Sequence, residues 1–409
     1  MKGSSMIIWI NSPFDPLPGE GGRPLRYWLL SRSLAAAGYD VIWWSSDFHH
    51  VQKSRRKVAA VYEADGFQVR LVPTRPYKTN VGWSRWQSHA AYAAEWERRA
   101  REAVGGNVLA IPDCILTSLP PLGLFDAAAR LREAFGCRIF VDVQDAWPET
   151  FYQLLPWPLR SVGSVIFAPL HAVAQRAYRG ADGVSVVSGC YSKLVKHPRE
   201  ASDPHIFRLG IDLPPASPRR TDVSGSLRLV YVGTLGVSYD LETMVEAVCD
   251  LAMKQVPVTL DIAGDGDRRQ WVVEAAAKSG GAIRFHGYLG CTPMRELLSN
   301  CDAGVVPMFE RSWVAVPNKV IDYATAGLAM INGLAGETSS LLAAYGAGID
   351  YEAGRCESFA RAVISYARNR DLLILHAAAA RRLAEEVFDS EKIYPAMARW
   401  LTERSLRED

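Results

Sequence analysis

The sequence predicts an α/β protein of two domains, each built around a parallel sheet. Along the 409 residues, apolar strand-like runs alternate with helical stretches, which is the pattern of layered α/β domains. The chain is also longer than one ordinary hydrophobic core supports, so we expect two domains. The alternation stops at residues 213–226, where three prolines lie among small polar residues, and then starts again. This composition is typical of a linker or a domain edge.

The first domain is predicted to begin with a buried strand at 7–12 and a turn-rich loop at 13–22. A helix is expected over 23–38, because apolar residues recur on one side and Gly38 is a typical helix end. Residues 49–57 are expected to form a basic loop, since they show no apolar period. The other strands of this domain are predicted at 39–46, 67–72, 114–118, 138–143 and 183–188.

The second domain repeats the alternation. Its strands are predicted at 228–233, 258–264, 283–287, 303–308 and 328–332, its helices at 239–254, 267–279, 292–300 and 317–327, and a helical tail from about 355 to Arg404. The predicted organisation is an N-terminal domain at 1–212, a linker at 213–226, a second domain at 227–385 and a terminal helix at 386–409 that packs back on the first domain. Ligands of open parallel sheets bind beyond the carboxyl ends of the strands, so two such sheets facing each other would form a cleft with two substrate sites.

Composition excludes several classes of protein. Hydrophobic residues at 49% and charged residues at 22% are typical of globular domains, and a net charge of +2 offers no basic surplus for nucleic acid. The seven cysteines are dispersed, with no CxxC pair and no histidine at metal-ligand spacing, so we expect free thiols and no metal site. No apolar run reaches the ~20 residues of a membrane span, and no export signal is evident. We therefore expect a cytoplasmic protein.

A glycine-bearing turn follows the first strand of the second domain, at 232–244. Gly233 and Gly236 would let backbone N–H groups approach an anion, and the next helix would present its positive end. A merely structural turn explains the same residues equally well. A second turn at 263–269 contains the letters DGD, which we interpret as a strand-to-helix turn rather than a DxD metal motif.

The segment 316–331 is more specific. Pro317 suits a first helical position, and Lys319 and Asp322 then share one face of the helix. A lysine there could neutralise a diphosphate, and a carboxylate one turn later could accept hydrogen bonds from ribose hydroxyls. The alternative is an exposed ion pair of little energetic value.

In the first domain, the strand before residue 144 delivers polar side chains at its carboxyl end. Asp145 and Glu149 are candidates for handling an acceptor hydroxyl, while the alternative is a turn in which Trp147 packs as core. The GEGG loop at 19–22 lacks GxGxxG, because Pro24 stands where the third glycine would be. A nicotinamide-cofactor site is therefore not expected there.

Aromatic residues are concentrated in the first domain, with nine of the twelve tryptophans before residue 226. One helical stretch holds Trp83, Arg85, Trp86, Tyr92 and Trp96. Together with the basic residues Lys53, Arg55, Arg56 and Lys57, this predicts contact with an anionic membrane surface. Core packing is the competing interpretation.

With these motifs in place, the chain resembles the family-4 glycosyltransferases of the GT-B fold, above all the branch found in capsule, O-antigen and exopolysaccharide clusters. Three blocks carry the resemblance: GEGGRPLRYWLLSRSLAAAGYDV at 19–41, VDVQDAWPE at 141–149, and the second-domain series VGTLG, IAGDGD, FHGYL and PNKVIDYATAGLAMI. The implied fold is two Rossmann-like, doubly wound parallel-sheet domains facing a cleft.

The resemblance implies a donor site in the second domain and an acceptor site in the first. The diphosphate is expected at Gly233–Gly236, the ribose at Asp322, the base at Gly287–Leu289 and the reacting centre near Asp145. The implied donor-binding residues are Gly233, Thr234, Leu235, Gly236, Gly264, Gly287, Tyr288, Leu289, Glu310, Asn318, Lys319 and Asp322; the acceptor-binding residues are Gly21, Gly22 and Arg26; the catalytic residues are Asp145 and Glu149.

The chain departs from the family pattern at three places. Thr234 and, approximately, Asp240 stand where many relatives carry Arg and Lys. Val314 stands where the first member of the paired-glutamate motif is expected, and Glu310 lies four positions away. Gln144 stands where the family often has a catalytic histidine, as is common in the polysaccharide branch. The phosphate site would then depend on backbone N–H groups and Lys319.

The expected function is that of a hexosyl-type glycosyltransferase. It would transfer a sugar from a nucleotide diphosphate sugar, with UDP rather than GDP, to a polyprenyl-linked or other glycan acceptor in envelope polysaccharide biosynthesis. Retention of configuration and independence from metal are inherited from the resemblance, and no cofactor is expected. A peripheral position on the inner face of the plasma membrane fits a lipid-linked acceptor. The alternatives are a GT-B epimerase or hydrolase of sugar nucleotides, and a catalytically inactive GT-B scaffold.

Overall fold

A computed structural model describes residues 5–79, 82–195, 204–215, 225–236, 239–309 and 312–406. The chain folds into two compact units. Unit 1 consists of Met1–Gly210 together with Ser390–Asp409, and unit 2 consists of Ile211–Asp389. The last helix of the chain therefore belongs to the same unit as the first strand.

Unit 1 is built on a sheet whose described part has eight strands. In chain order the strands of this unit are β1 (Ile7–Asn11), β2 (Asp40–Ser46), β3 (Phe48–His49), β4 (Ser54–Arg55), β5 (Val61–Ala64), β6 (Phe67–Val72), β7 (Cys114–Leu119), β8 (Arg138–Val143), β9 (Gly183–Val186) and β10 (His205–Ile206). The sheet order is β10-β9-β8-β7-β1-β2-β6-β5, and β3 pairs with β4 in a separate ribbon. All neighbours in the sheet are parallel except β5 and β6. The apolar run of β1 and the continuous burial of β7 fit this arrangement, because parallel strands are covered on both faces.

Helices cover this sheet. They are α1 (Arg26–Ala36), α2 (Trp83–Gly105), α3 (Leu124–Phe135), α4 (Gly163–Ile166), α5 (Ala168–Gly180), α6 (Gly189–Ser192) and, from the chain's end, α14 (Ser390–Ser405). Two 3-10 helices, Glu149–Leu154 and Trp157–Val162, lie between β8 and α4. Helix α14 buries Tyr394, Met397 and Leu401 in the core formed by β1, β2 and α1. Full burial of each such side chain stabilises the fold by about 1.5–3 kcal/mol, so α14 is an integral part of unit 1.

Unit 2 has a sheet whose described part contains six parallel strands. They are β11 (Leu227–Val232), β12 (Val258–Ala263), β13 (Ile283–Gly287), β14 (Ala303–Val306), β15 (Ala329–Asn332) and β16 (Gly348–Asp350), in the order β13-β12-β11-β14-β15-β16. The helices are α7 (Leu241–Met253), α8 (Arg269–Lys278), α9 (Cys291–Ser299), α10 (Asn318–Thr325), α11 (Glu337–Tyr345), α12 (Cys356–Arg368) and α13 (Arg370–Val387). The sheet order changes direction between β11 and β14, which is where an open parallel sheet offers a ligand site.

The predicted fold class of two Rossmann-like parallel-sheet domains is confirmed. The strands predicted at 67–72, 138–143 and 283–287 have the predicted bounds, and most others differ by one or two residues. Two predictions need correction. Residues 49–57 are not a plain loop, because the β3–β4 ribbon passes through them. The helical tail is three helices separated at Asn369 and at Phe388–Asp389. None of the helices in the described ranges combines the length and the apolar character that a membrane crossing needs.

Candidate functional site

The carboxyl ends of β11, β12 and β13 are joined by backbone hydrogen bonds between their loops. The Gly233 N–H donates to the Ala263 carbonyl at 3.0 Å, and the Gly264 N–H donates to the Gly287 carbonyl at 2.8 Å. Two residues after Gly233 along the same loop, the Leu235 N–H donates to the Asp265 carbonyl at 2.9 Å. The three loops that the sequence singled out therefore form one continuous edge of unit 2.

Glycine is required at this edge because the loops approach each other so closely. A Cβ on Gly264 would lie 1.8 Å from the Gly233 carbonyl oxygen, and one on Gly266 would lie 2.6 Å from the Leu235 oxygen. Both residues also have positive φ, at 154° and 150°. The DGD letters thus belong to a tight strand-to-helix turn, as predicted. Among the described residues, His, Cys, Asp and Glu form no cluster that could hold a metal ion.

Two residues of the 233–236 turn have a different role from the one predicted. The N–H groups of Gly233 and Leu235 already donate to protein carbonyls, and the Leu235 side chain is buried in the core of unit 2. Neither N–H is therefore available to a ligand, and the Leu235 side chain anchors the loop in the core of unit 2. Thr234 is exposed on the same turn, and Gly236 is partly exposed.

Lys319 reaches from the first turn of α10 to this glycine turn. Its side chain is buried, with the residue 7% exposed, and its Nζ lies 4.4 Å from the ring centre of Tyr231 and 4.0 Å from that of Tyr239. Nζ also donates to the Tyr231 hydroxyl at 3.4 Å, and that hydroxyl donates to the Thr234 carbonyl at 2.6 Å. A Cβ on Gly233 would lie 3.3 Å from Nζ. The alternative of an exposed ion pair for Lys319 is therefore wrong.

The surroundings of Lys319 change its proton affinity. Burial lowers the pKa of the Lys319 ammonium group to about 7, and the charge of Asp322 opposes this effect. The faces of Tyr231 and Tyr239 attract a cation, so the protonated form is still accommodated there. The result is a cationic group near a glycine turn, held by aromatic rings. Sequence reasoning missed both tyrosines, although Tyr231 stands two residues before Gly233.

The other predicted donor residues, as far as the structure describes them, lie at the same edge of the sheet or on α10. Gly287 ends β13 and accepts from Gly264, and Tyr288 and Leu289 follow it, Tyr288 being exposed. On α10, Asn318 is exposed and Asp322 half-buried. Glu310 lies outside the described residues.

Asp240 is an internal structural group. It is buried, and its carboxylate accepts hydrogen bonds from the Gly354 N–H at 2.7 Å and the Tyr351 hydroxyl at 3.4 Å. Asp240 therefore ties the start of α7 to the loop before α12.

In unit 1, Asp145 follows β8 and is exposed to solvent. Desolvation of the carboxyl by the surrounding protein raises the Asp145 pKa, and the positive charge of Arg85 opposes this effect. The Arg85 guanidinium lies 5.0 Å from the ring centre of Trp147, and Arg85 Nε donates to His89 Nε2 at 3.3 Å. Trp147 is buried and stacks on His89, as its alternative interpretation predicted. Arg85 is thus the electrostatic partner of Asp145 that sequence reasoning did not identify.

Glu149 is engaged locally. It begins a 3-10 helix, and its carboxylate lies 3.6 Å from Nδ1 of His171 on α5. The other ring nitrogen of His171 is hydrogen-bonded to the Tyr152 hydroxyl at 2.6 Å. These contacts indicate a structural role for Glu149 instead of the predicted catalytic one.

The prediction that Arg26 binds the acceptor is wrong. The Arg26 side chain is buried and donates two hydrogen bonds to the Asp142 carboxylate, at 2.6 and 2.7 Å. A further bond from Nη1 goes to the Phe207 carbonyl at 2.8 Å. Arg26 therefore links α1 to β8 and to the segment after β10. Gly21 and Gly22 are exposed in the loop ahead of α1.

The basic residues predicted to meet a membrane are mostly held by the protein. Arg56 is buried and pairs with Glu20 at 2.5 Å, which fastens the GEGG loop. Arg55 pairs with Asp47, and the Lys53 ammonium lies 4.6 Å from the Tyr77 ring centre. Lys57 is exposed. The membrane role predicted for Arg56 is therefore wrong.

The aromatic stretch in α2 also packs mostly inward. Tyr92 and Trp96 are buried, and Trp86 contacts Trp147 and Phe151. Trp83 is the exception, with 76% of its surface exposed. Core packing therefore explains most of this stretch.

A family model and a curated relative both match part of unit 2. Residues 226–369 match the family model described as Glycosyl transferases group 1. A segment of 144 residues is 31% identical to glycogen synthase of Mycobacterium tuberculosis, covering 32% of this chain and 34% of that protein. The match thus spans about a third of the curated relative's length.

Solved structures resemble nearly the whole chain. Sucrose-phosphate synthase (tll1590) from Thermosynechococcus elongatus is similar with a TM-score of 0.73 and 16% identity, over 97% of this chain and 98% of that one. Anabaena Alr3699/HepE in complex with UDP-glucose is similar with a TM-score of 0.65 and 12% identity, over 97% and 100%. Likeness at such identities shows the fold, which is the GT-B fold.

Proposed function

We propose that this chain, whose residues 226–369 match the Glycosyl transferases group 1 family, is a glycosyltransferase that takes its sugar from a nucleotide diphosphate sugar. The observation that carries the proposal is the position of Lys319. A buried ammonium group lies beside a glycine turn, at the carboxyl edge of a parallel sheet. A diphosphate is the ligand whose charge and size suit a cation beside such a turn.

The donor would bind along the edge of unit 2. Lys319 would meet the diphosphate together with the N–H groups of Thr234 and Gly236, because those of Gly233 and Leu235 are already used. Asp322, one turn after Lys319 on α10, would accept hydrogen bonds from the ribose hydroxyls. Tyr288 and its neighbours after β13 would contact the base. UDP is the first nucleotide to test, since the similar HepE protein is described in complex with UDP-glucose.

In the transfer step, the bond between the anomeric carbon and the diphosphate breaks, and a bond to the acceptor oxygen forms. Negative charge develops on the leaving diphosphate, and Lys319 would stabilise it in a largely buried site. Asp145 would orient the acceptor hydroxyl or accept its proton, and its raised pKa suits proton exchange. Retention of configuration and independence from metal come from the family resemblance and are part of the proposal.

The acceptor is proposed to be a lipid-linked glycan in envelope polysaccharide assembly, met by a peripheral enzyme at an anionic membrane surface. The support is the resemblance of the 19–41 and 141–149 blocks to that branch of the family. The proposal that the transferred sugar is a hexose rests on the same resemblance.

A thermal-shift screen of nucleotide sugars tests the donor. A ligand at about 100 times its Kd stabilises the folded state by about 2.7 kcal/mol, which is easily measured. We expect UDP-sugars to raise the unfolding temperature more than GDP-sugars, and the sugar that raises it most then serves in a transfer assay. Failure of every nucleotide diphosphate sugar to stabilise the protein would contradict the proposal. Binding with no transfer, hydrolysis or isomerisation would instead favour an inactive scaffold.

A further inference from the structure

An exposed apolar patch lies on unit 1, between β8 and α5. It consists of five aliphatic residues in the 3-10 helix segment and α4: Leu154, Leu159, Val162, Val165 and Ile166. All five are exposed, and Val165 and Leu154 are the most exposed, at 73% and 55%. Single exposed apolar residues are ordinary, but five within thirteen residues form a surface that water solvates poorly.

Internal aromatic contacts hold this segment in place. The Phe151 ring centre lies 4.7 Å from that of Trp147, and Tyr152 stacks on Phe167 at 6.1 Å. A Cβ on Gly163 would lie 2.7 Å from the Tyr152 ring, so α4 packs directly on that ring. The aromatic side chains thus face the protein, while the aliphatic side chains of the patch face outward.

The charged side chains within the patch segment are arginines, and the carboxylates at its borders, Glu149 and Asp126, face His171 and Arg176. Residues 150–181 contain no aspartate or glutamate, but they contain Arg160, Arg176 and Arg179, all exposed. Arg160 donates to the Leu155 and Gln153 carbonyls, which leaves its charge uncompensated by those contacts. Arg176 pairs with Asp126. An apolar surface that carries Arg160 among its aliphatic residues complements an anionic lipid surface, where aliphatic groups enter the acyl boundary and cations stay among the phosphates.

Trp83 adds an aromatic residue beside the same segment. It stands one helical turn before Trp86, whose ring centre lies 5.5 Å from that of Phe151. Trp83 is therefore on the face of α2 that adjoins the first 3-10 helix, and it is largely exposed. Tryptophan is favoured at the headgroup level of membranes because its ring is amphipathic.

We propose that the apolar patch is the surface through which unit 1 docks on an anionic lipid bilayer, with Arg160 among the headgroups. The inference deepens the proposed function, since it rests on the expected membrane partner and names the surface that meets it. It also moves the membrane contact away from residues 49–57, where Arg55 and Arg56 are paired with carboxylates.

Vesicle flotation of the full chain tests the proposal, with vesicles of phosphatidylcholine alone and of phosphatidylcholine with phosphatidylglycerol. The patch variant is Leu154→Asp/Val165→Asp. Its matched control is Met253→Asp/Leu375→Asp, which replaces two similarly exposed apolar residues of unit 2, at 73% and 60% exposure. Arg160→Gln, with the exposed Arg382→Gln as control, tests the electrostatic part. Thermal unfolding of each variant is measured to check that it is folded.

We expect the wild type to float with the anionic vesicles and both controls to float equally well. The patch variant should lose binding by about tenfold or more, and Arg160→Gln by about fivefold. Equal flotation of the patch variant and its control would overturn the assignment of the surface. Absence of wild-type flotation would overturn the proposal itself, and self-association that the patch variant abolishes would then assign the patch to a second copy of the chain. UDP-sugar binding by each variant is measured in parallel, so a failure of the docking surface is distinguishable from a failure of the donor site.

Discussion

The ammonium group of Lys319 lies 4.0 Å from the ring centre of Tyr239 and 4.4 Å from that of Tyr231. These two rings face a cation that burial has partly deprived of water, which is why the Lys319 pKa is lowered to about 7. The charge of Asp322, on the same helix, opposes this effect. A bound anion would stabilise the protonated form of Lys319 and so raise its pKa.

Lys319→Ala should weaken binding of UDP far more than binding of uridine. A charge-assisted hydrogen bond contributes about 1.5–3 kcal/mol, so we expect a loss of about 10- to 100-fold for UDP. Uridine has no phosphate and should lose little. Isothermal titration of both ligands measures the difference, with the exposed Lys254→Ala as control. Equal losses for UDP and uridine would remove Lys319 from the phosphate site.

Binding of a UDP-sugar should weaken as pH rises through about 7. The bound diphosphate favours the charged form of Lys319, so binding above the pKa of the free protein requires uptake of a proton. The affinity should then fall by up to about tenfold per pH unit until the pKa of the complex is reached. A UDP-sugar keeps a constant phosphate charge over this range, and Lys319→Met should bind weakly with a flat profile. A flat profile for the wild type would contradict the prediction.

The same pKa affects the stability of the unliganded protein. Because the Lys319 pKa is lower in the folded state than its ordinary value of 10.5, the unfolded state binds more protons between pH 7 and 10.5. The contribution of Lys319 to stability therefore increases as pH rises through this window. Methionine does not titrate, so the denaturation midpoint of the wild type should rise relative to that of Lys319→Met as pH increases through this window. If the difference between the two midpoints does not change with pH, the Lys319 pKa is not lowered in the folded protein.

Asp145→Asn should leave UDP-sugar affinity unchanged and reduce turnover by about 10²-fold or more. The substitution keeps the shape of the side chain and removes its charge and basicity. Steady-state kinetics and donor titration measure the two effects separately, with the exposed Asp40→Asn as control. Near-normal turnover of the Asn variant would end the proposed role of Asp145.

Arg26→Ala should destabilise unit 1. Removing one partner of a buried ion pair costs about 3–5 kcal/mol. Among the described residues, the buried Asp142 carboxylate would keep the neutral hydroxyls of Tyr27 and Ser185 as its hydrogen-bond donors. Replacing both charges, as in Arg26→Met/Asp142→Leu, should recover part of the loss. Chemical denaturation measures both variants. Unchanged stability of Arg26→Ala would restore Arg26 as a candidate for the acceptor site.

Gly264→Ala should destabilise unit 2 much more than Gly346→Ala. Both glycines have positive φ, but a Cβ meets the Gly233 oxygen at 1.8 Å in the first case and nothing within 4 Å in the second. We expect about 1 kcal/mol for Gly346→Ala and about 3 kcal/mol or more for Gly264→Ala, as measured by chemical denaturation. Comparable losses would mean that backbone strain, and not the close approach of the loops, makes Gly264 necessary.

The sequence predicts the fold well because its apolar runs are local signals. Strand β6 alternates apolar and polar residues, and β8 is a mostly apolar run. The glycine turn after β11 lies where the period changes from strand to helix. Short edge strands such as β5 and β16 give no comparable signal. Their pairing depends on a neighbouring strand and not on their own composition.

The parts of the site that escaped prediction involve distant residues. Lys319 and Tyr231 are 88 positions apart, and Arg26 and Asp142 are 116 apart. Before the sheets are assembled, nothing in the sequence distinguishes the buried Arg26 from the half-buried Arg32 of the same helix. Arg56 and Glu20 illustrate the same difficulty, since a basic run looks solvated until its partner is known.

Unit 1 contains both the first strands and the last helix of this sequence, and unit 2 is inserted between them. The ends of the inserted part are close, because the Ile211 N–H donates to the Phe388 carbonyl at 2.9 Å. During synthesis, the core around β1 and β2 must therefore wait for Tyr394 and Leu401 while all of unit 2 is translated. At ribosomal speeds of about 5–20 residues per second, this delay lasts roughly ten seconds or more. Unit 2 can thus complete its sheet on the ribosome before unit 1 completes its core.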